Sequence, residues 1–313
     1  MLVTGGYGFI GTHLLRALMA RGYRQVTVID SFIHGKPPML DGARNTTRFV
    51  QCDITSREAF ELVVDGGFDT VIHLAALHYI PYCDAHPQET CRTNIEGTQN
   101  LLTASAAAGV KRFFLASTAA VYEPGDRAHA ETDPVRPVDV YGISKRVNEE
   151  QVALAARVVD CKFAIGRLFN AVGAHEKNPH LIPEIVRRLR TSTAIEIGSL
   201  TPRRDYVHVA DVADAVLAMT FGNTKSVDVC NIGSGTSYSV GDIVDRIAAI
   251  TGIDITLTPA DRYLRKVDRP FLQADNRKMA SEYDWHPTRT LGEAIEDVIE
   301  FDAATAVPGR QPR

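Results

Sequence analysis

Thr4-Gly5-Gly6-Tyr7-Gly8-Phe9-Ile10-Gly11 lies directly behind a strand-like Leu2-Val3 and directly before a helix-like Thr12 to Ala20. A strand that turns sharply into a helix leaves backbone N–H groups unpaired and aims the positive end of the helix dipole at the turn. That arrangement suits a pyrophosphate, and glycine permits both the turn and the ligand's close approach. The glycine spacing gains weight from its surroundings: Leu14, Leu15, Leu18 and Met19 recur at helical spacing behind it, and a β-rich run from Gln25 to Ile29 ends in Asp30. That carboxylate can accept hydrogen bonds from a ribose diol and would repel a 2′-phosphate, so the pattern predicts NAD rather than NADP. The expected contacts are Gly5, Gly8, Phe9, Ile10, Gly11, Asp30, Ser31 and Gly35.

Working outward, strand-like runs at 47–51, 70–74, 112–116 and 162–167 alternate with helix-like segments near 57–65, 88–108 and 141–158. Such βα alternation predicts an α/β fold with a doubly wound parallel Rossmann sheet. After Leu168 the pattern breaks; residues 205–220 and 227–232 read as a further helix and strand rejoining the sheet. The expected division is a dinucleotide domain over 1–167 and 205–233, with a smaller interleaved α/β substrate lobe over 168–204 and 234–313. No internal repeat, low-complexity tract or flexible linker stands out, and the tail after Pro308 reads as frayed.

Composition narrows the class. With 313 residues, 45% of them hydrophobic, the chain can bury a sizeable core. A formal net charge of −4 gives no general attraction to nucleic acid or anionic membrane. The five cysteines form no C-x-x-C pair and leave one over, which argues against a disulfide framework or a zinc site, and no metal is expected. No apolar run reaches the roughly 20 residues that span a bilayer. The cysteine usage points to reducing cytoplasm as the expected compartment; the N-terminus opens straight into an unusually short first strand, which reads as leaving no room for a signal peptide and as lacking a few leading residues.

In open parallel sheets ligands sit beyond the carboxyl ends of the strands. Those ends supply Asp30, Asp53-Ile54, His73-Leu74-Ala75-Ala76, Ser117-Thr118 and Arg167 to Asn170. The paired alanines read as room for a cofactor beside Leu74 and Ser117. His73 has no metal partner at suitable spacing and reads as a core histidine. Tyr141-Gly142-Ile143-Ser144-Lys145 opens a helix and puts phenol and ammonium on one face. With a reference pKa near 10, a tyrosine needs roughly 4 kcal/mol of stabilisation of its phenolate to act as a base near pH 7. Lys145 is placed to contribute, and Thr118 offers a hydroxyl to the phenol or to a reacting alcohol.

These pieces resemble the extended short-chain dehydrogenase/reductase superfamily, in particular its nucleotide-sugar epimerases and dehydratases. The resemblance covers nearly the whole chain: TGGYGFIG at 4–11, Asp30, CDI at 52–54, HLAA at 73–76, NIEGTQNLL at 94–102, STAAVY at 117–122, YGISK at 141–145, RLFNAVGAH at 167–175, RRDYVHVADVADA at 203–215 and WHPTRTL at 285–291. It implies that Asp53 and Ile54 flank the adenine, that Ala75, Ala76 and Asn94 line the cofactor channel, and that Tyr141 and Lys145 contact the cofactor as well as react. VGAH, RDYVHV and the RTL stretch look most like UDP-glucose 4-epimerases. After Ser117-Thr118 the similar 4,6-dehydratases carry acids, whereas this chain has Ala119 and Ala120, and methyl groups perform no acid–base work. The implied activity is an NAD-dependent 4-epimerase of UDP-hexoses, on glucose and galactose or an N-acetyl or uronic analogue. A 4-keto-sugar reductase, a 4,6-dehydratase and a non-catalytic dinucleotide sensor are the alternatives.

On the substrate side the resemblance implies grip by the loop 170–182, including Asn170, His180 and Leu181, and by Arg204, Arg265 and Asp268, with His78 and Thr118 near the sugar. Arginine's planar fork suits a diphosphate. Arg204 could instead pair with Asp205, Arg203 reads as a solvated side chain, and Ile195 and Ile197 are either base wall or core. Leu272, His180 and the segment 78–83 depart from the epimerase pattern, which leaves the sugar open. Helices near 88–108 and 141–158 resemble those that build a four-helix homodimer interface, and Ala104 to Ala108 would allow close packing there or in the core.

Overall fold

Seven short apolar runs pair in parallel into one sheet in this computed structural model, which describes residues 1–32, 47–260 and 269–305. They are β1 (Leu2–Thr4), β2 (Val26–Asp30), β3 (Thr47–Gln51), β4 (Thr70–His73), β5 (Arg112–Thr118), β6 (Lys162–Leu168) and β10 (Val227–Ile232). Across the sheet the order is β3-β2-β1-β4-β5-β6-β10. Side chains alternate between two cores, as period-two strands require. Val3, Val28, Ile72 and Phe114 face α1 (Phe9–Ala20) and α8 (Val209–Gly222), meeting Leu14, Leu18, Val212 and Val216. Leu2, Ile29, Val71 and Phe113 face the opposite way, toward α2 (Arg57–Asp65), α5 (Gly97–Ala108) and α6 (Val140–Ala155), meeting Ala59, Leu101 and Val152. Between β4 and α5 run α3 (Ile80–Ala85), α4 (Pro87–Cys91) and a π-helical turn, Arg92–Glu96.

β2 departs to one side of β1 and β4 to the other, which opens a crevice at the carboxyl ends between them. Gly5 turns the chain there at φ +69°, and a Cβ on it would lie 2.8 Å from the Ala75 backbone, so glycine is required.

A third core belongs to the later segments. Ile182 and Ile185 of α7 (Leu181–Arg188) pack with Ile243 and Ile247 of α9 (Val240–Thr251) and Ile295 and Val298 of α11 (Leu291–Thr305). Beside it β9 (Arg203–His208) pairs with β7 (Asn170–Val172), β11 (Ser237–Tyr238) and β13 (Phe271–Leu272), while β8 (Ala194–Ile197) pairs with β12 (Thr256–Pro259). α10 (Arg277–Tyr283) returns Met279 to the first core.

The helix expected from residue 205 starts later, at Val209. Asp205 is fully buried and accepts from the N–H groups of Ser234 (2.7 Å), Gly235 (2.9 Å) and Ala274 (3.1 Å), which commits it to the small sheet. His208 Nδ1 then accepts from Ala210 N (3.0 Å) and caps α8.

Candidate active site

A cavity of about 1290 Å3 runs from the glycine turn along the ends of β2, β4 and β5 to the loop before α7 and to β8. Gly5, Gly8, Phe9, Ile10, Gly11, Asp30, Ser31, Asp53, Ile54, Leu74, Ala75 and Ala76 all line it. Gly8 precedes α1 without a side-chain cap, so the helix's first N–H groups stay available to a ligand. Asp30 accepts from Tyr7 N (3.0 Å) and Phe32 N (2.9 Å), which fixes the carboxylate at the end of β2. Asp53 Oδ1 takes both the N–H and the hydroxyl of Thr55, each at 2.9 Å. Gly35, Arg265 and Asp268 lie outside the described residues.

One expected cofactor contact is corrected. Asn94, 1% exposed in the π-helical turn, does not line the cavity: its amide is used up on Leu77 N (2.8 Å), Leu77 O (2.9 Å) and Ser144 Oγ (2.9 Å). It positions the loop after β4 against α6. Ser117 borders the cavity, but its hydroxyl donates to Glu149 Oε1 at 2.6 Å. His73 is a satisfied core residue, with Thr4 Oγ1 2.7 Å from Nδ1 and Thr98 Oγ1 2.9 Å from Nε2, and burial pulls its pKa down to about 3.

The reacting groups stand where β5 meets α6. Asp139 caps that helix through Gly142 N (2.7 Å), and a Cβ on Gly142 would lie 2.6 Å from Ala120 O, so α6 starts in tight contact with the turn after Thr118. Tyr141 and Thr118 line the cavity together, with the Thr118 hydroxyl near enough to favour the ionised phenol. One turn on, Lys145 is 2% exposed and borders the same cavity. Among the described residues its ammonium has no hydrogen-bond or ion-pair partner. Burial pulls Lys145 down to about 8, opposed by Cys83 and Glu149. The expected acidification of Tyr141 is not a property of the protein alone: burial raises the phenol above its ordinary value, and the Thr118 hydroxyl opposes this only in part.

Sequence reasoning missed the supports beneath these groups. Glu149, 4% exposed, binds Arg167 through Nε (2.9 Å) and Nη2 (2.8 Å) as well as Ser117. Arg269 ties Asp139 (2.7 Å) to Ala120 O (3.0 Å). The signal for Glu149 was present, since Tyr141, Lys145 and Glu149 are spaced by four along one helix face.

Toward the second lobe the cavity is lined by His78, Thr118, Asn170, His180, Leu181, Ile197 and Arg204. Asn170 Nδ2 donates to Asp205 O (3.0 Å), and Asp205 is taken up by backbone N–H groups. Ile195, at 2% exposure, and the half-buried Ile197 both pack with the third core and both border the cavity. Leu272 packs with Phe169 and Tyr122 where it borders the cavity. Arg203 is not simply solvated: it donates to Ser237 O (2.7 Å) and pairs with Asp242 (3.3 Å). His78, Glu176 and His180 converge in the loops at this end, and burial raises the Glu176 carboxyl to about 7.

The model of the NAD dependent epimerase/dehydratase family matches residues 1–233. The chain belongs to that family. NAD is its cofactor, and the uncapped helix start, the fixed Asp30 and the Lys145 ammonium, without a partner among the described residues, fit a dinucleotide along this wall. A UDP-glucose 4-epimerase of Lactobacillus helveticus is 31% identical over 96% of this chain and 94% of its own. A UDP-glucose 4-epimerase of Thermotoga maritima solved with UDP-glucose superposes with a TM-score of 0.87 at 30% identity, covering 97% of this chain and 98% of that one. MoeE5, solved with UDP-glucuronic acid and NAD, gives 0.88 at 29% identity, covering 97% and 99%.

Proposed function

We propose that this protein is an NAD-dependent 4-epimerase of UDP-hexoses. The observation that carries the reading is a phenol one helical turn from a buried ammonium that has no partner among the described residues, at a cavity that Thr118 also lines and whose adjoining turn offers only Ala119 and Ala120. Tyr141 takes the proton of the sugar 4-hydroxyl and later returns it; Thr118 holds the phenol and the reacting oxygen; Lys145 stabilises negative charge on the phenol. NAD held along the wall by the glycine turn, Asp30 and Lys145 would supply a reversible hydride acceptor for C4. Arg204 and Arg265 grip the diphosphate and Asp268 the nucleotide, while Asn170, Leu181 and Ile197 border the nucleotide and sugar. Firm hold on the diphosphate with loose hold on the hexose lets a keto sugar turn between the two hydrogen transfers. The alanines support this over dehydration, which needs an acid–base group beside Thr118.

Residues 1–167 and 205–233 would hold NAD, and 168–204 and 234–313 the nucleotide sugar. A homodimer through α5 and α6 agrees with the exposure of Ile143 (49%) and Leu154 (59%) on α6. Cytoplasmic residence agrees with five free cysteines.

Incubation with UDP-glucose, UDP-galactose, their N-acetyl and uronic analogues, and dTDP-, GDP- and CDP-sugars, with no cofactor added, tests the reading. Interconversion at C4 with unchanged mass is expected. Loss of a water would move the assignment to dehydration, and stoichiometric consumption of added NADH would move it to reduction.

A further inference from the structure

We propose that His78, Glu176 and His180 bind one divalent transition-metal cation in the sugar-facing wall of the cavity. The three side chains arrive from two separate loops, one after β4 and one before α7, and all line the cavity. One ligand atom from each lies within 4.8 Å of the others, with His180 Nε2 3.8 Å from Glu176 Oε2. Two imidazoles and one carboxylate form a donor set that suits zinc, cobalt, iron or nickel in preference to magnesium or calcium. Metal–ligand bonds of about 2.0–2.2 Å place neighbouring donors of a tetrahedron roughly 3.3–3.6 Å apart, so closure requires about an ångström of side-chain movement. The histidines are half-buried at the cavity wall.

The carboxylate is held more firmly than a solvent-facing acid. Its side chain is 5% exposed, and Asn178 N donates to Oε1 (2.8 Å), which orients the group with Oε2 toward His180. The Asn178 side-chain amide also lies 2.9 Å from His78 Nε2, and turned so that its oxygen accepts from Nε2–H it would leave Nδ1 as the ring nitrogen for the cation. Support of that kind is how ligating side chains are held in place. Three protein ligands leave coordination positions for oxygens of a molecule in the cavity, which for the sugar class proposed above means hydroxyls or a carboxylate. The cation site itself does not depend on the epimerase reading.

The test uses full-length protein with its bound NAD, stripped with a chelator and dialysed, without substrate. Titration with Co2+, followed by its visible d–d bands, and calorimetry with Zn2+ should give one cation per chain. Glu176→Gln and His180→Asn should each weaken binding by on the order of 100-fold, and Asn178→Ala by about tenfold. Circular dichroism and NAD content identify any variant that has lost its fold, and His180→Asn, at a half-exposed position, is the variant least subject to that failure. Absence of stoichiometric binding to wild type, or binding undiminished in folded Glu176→Gln and His180→Asn, overturns the proposal. Turnover on UDP-sugars plays no part in this readout, so failure here leaves the epimerase reading standing, and the reverse.

Discussion

At the glycine-turn end, the groups facing the cavity come from the carboxyl ends of adjacent parallel strands, each fixed by its register; at the far end, His78 meets Glu176 and His180 across about a hundred residues of chain. The first end is built by one repeating rule, strand then turn then helix, so its chemistry is ordered by topology. The second depends on loops packed over a separate core of Ile182, Ile243 and Ile295. On the proposed function, reaction chemistry sits on the sheet's strand ends and substrate discrimination where sequence can vary without disturbing the sheet.

If that contrast is real, substitutions at the strand ends should abolish or reshape the reaction, and those in the second lobe should mainly alter substrate affinity. Tyr141→Phe should lower turnover by about 10²–10⁴-fold while NAD stays bound, read by initial rates and cofactor content. Near-normal turnover would remove the assigned base.

Glu149→Ala should cost ~3–5 kcal/mol in urea unfolding, because it strands the buried Arg167 guanidinium. A loss under about 1 kcal/mol would mean that this ion pair is not what fixes β6 against α6.

Lys145→Met should lower turnover yet raise thermal stability at neutral pH. The folded ammonium titrates near 8 against 10.5 in the unfolded chain, so burying its charge costs at most ~3 kcal/mol. That cost is full below pH 8 and fades as pH rises toward 10.5, so the stability advantage of the variant should shrink across the same window. Equal melting temperatures at pH 7 would contradict a buried charged lysine. Smallest is Arg204→Leu, expected to raise KM for a UDP-sugar about tenfold with kcat little changed. A large kcat loss there would erase the distinction between the two ends.

The same contrast explains what sequence could show. Asp30, Thr118, Tyr141 and Lys145 were legible because strand ends and helical spacing project them predictably, and the seven-stranded order follows from βα alternation. Asn94 was misplaced because a π-helical turn shifts which side chains face the loop after β4. The late start of α8 was hidden because the apolar run behind His208 continues a helical pattern backward into β9. The supports Arg167–Glu149 and Arg269–Asp139 join residues distant in sequence, a pairing that spacing along one element cannot reveal. The cluster at His78 escaped for the same reason.

The claim that Tyr141 and Lys145 serve a hydrogen removed and returned at one carbon is tested most directly with UDP-galactose deuterated at C4 and no added cofactor. The account predicts UDP-glucose carrying the deuterium at C4 in full, with no solvent hydrogen at that carbon and no change of mass. Deuterium lost to water, or a product lighter by one water, would contradict it.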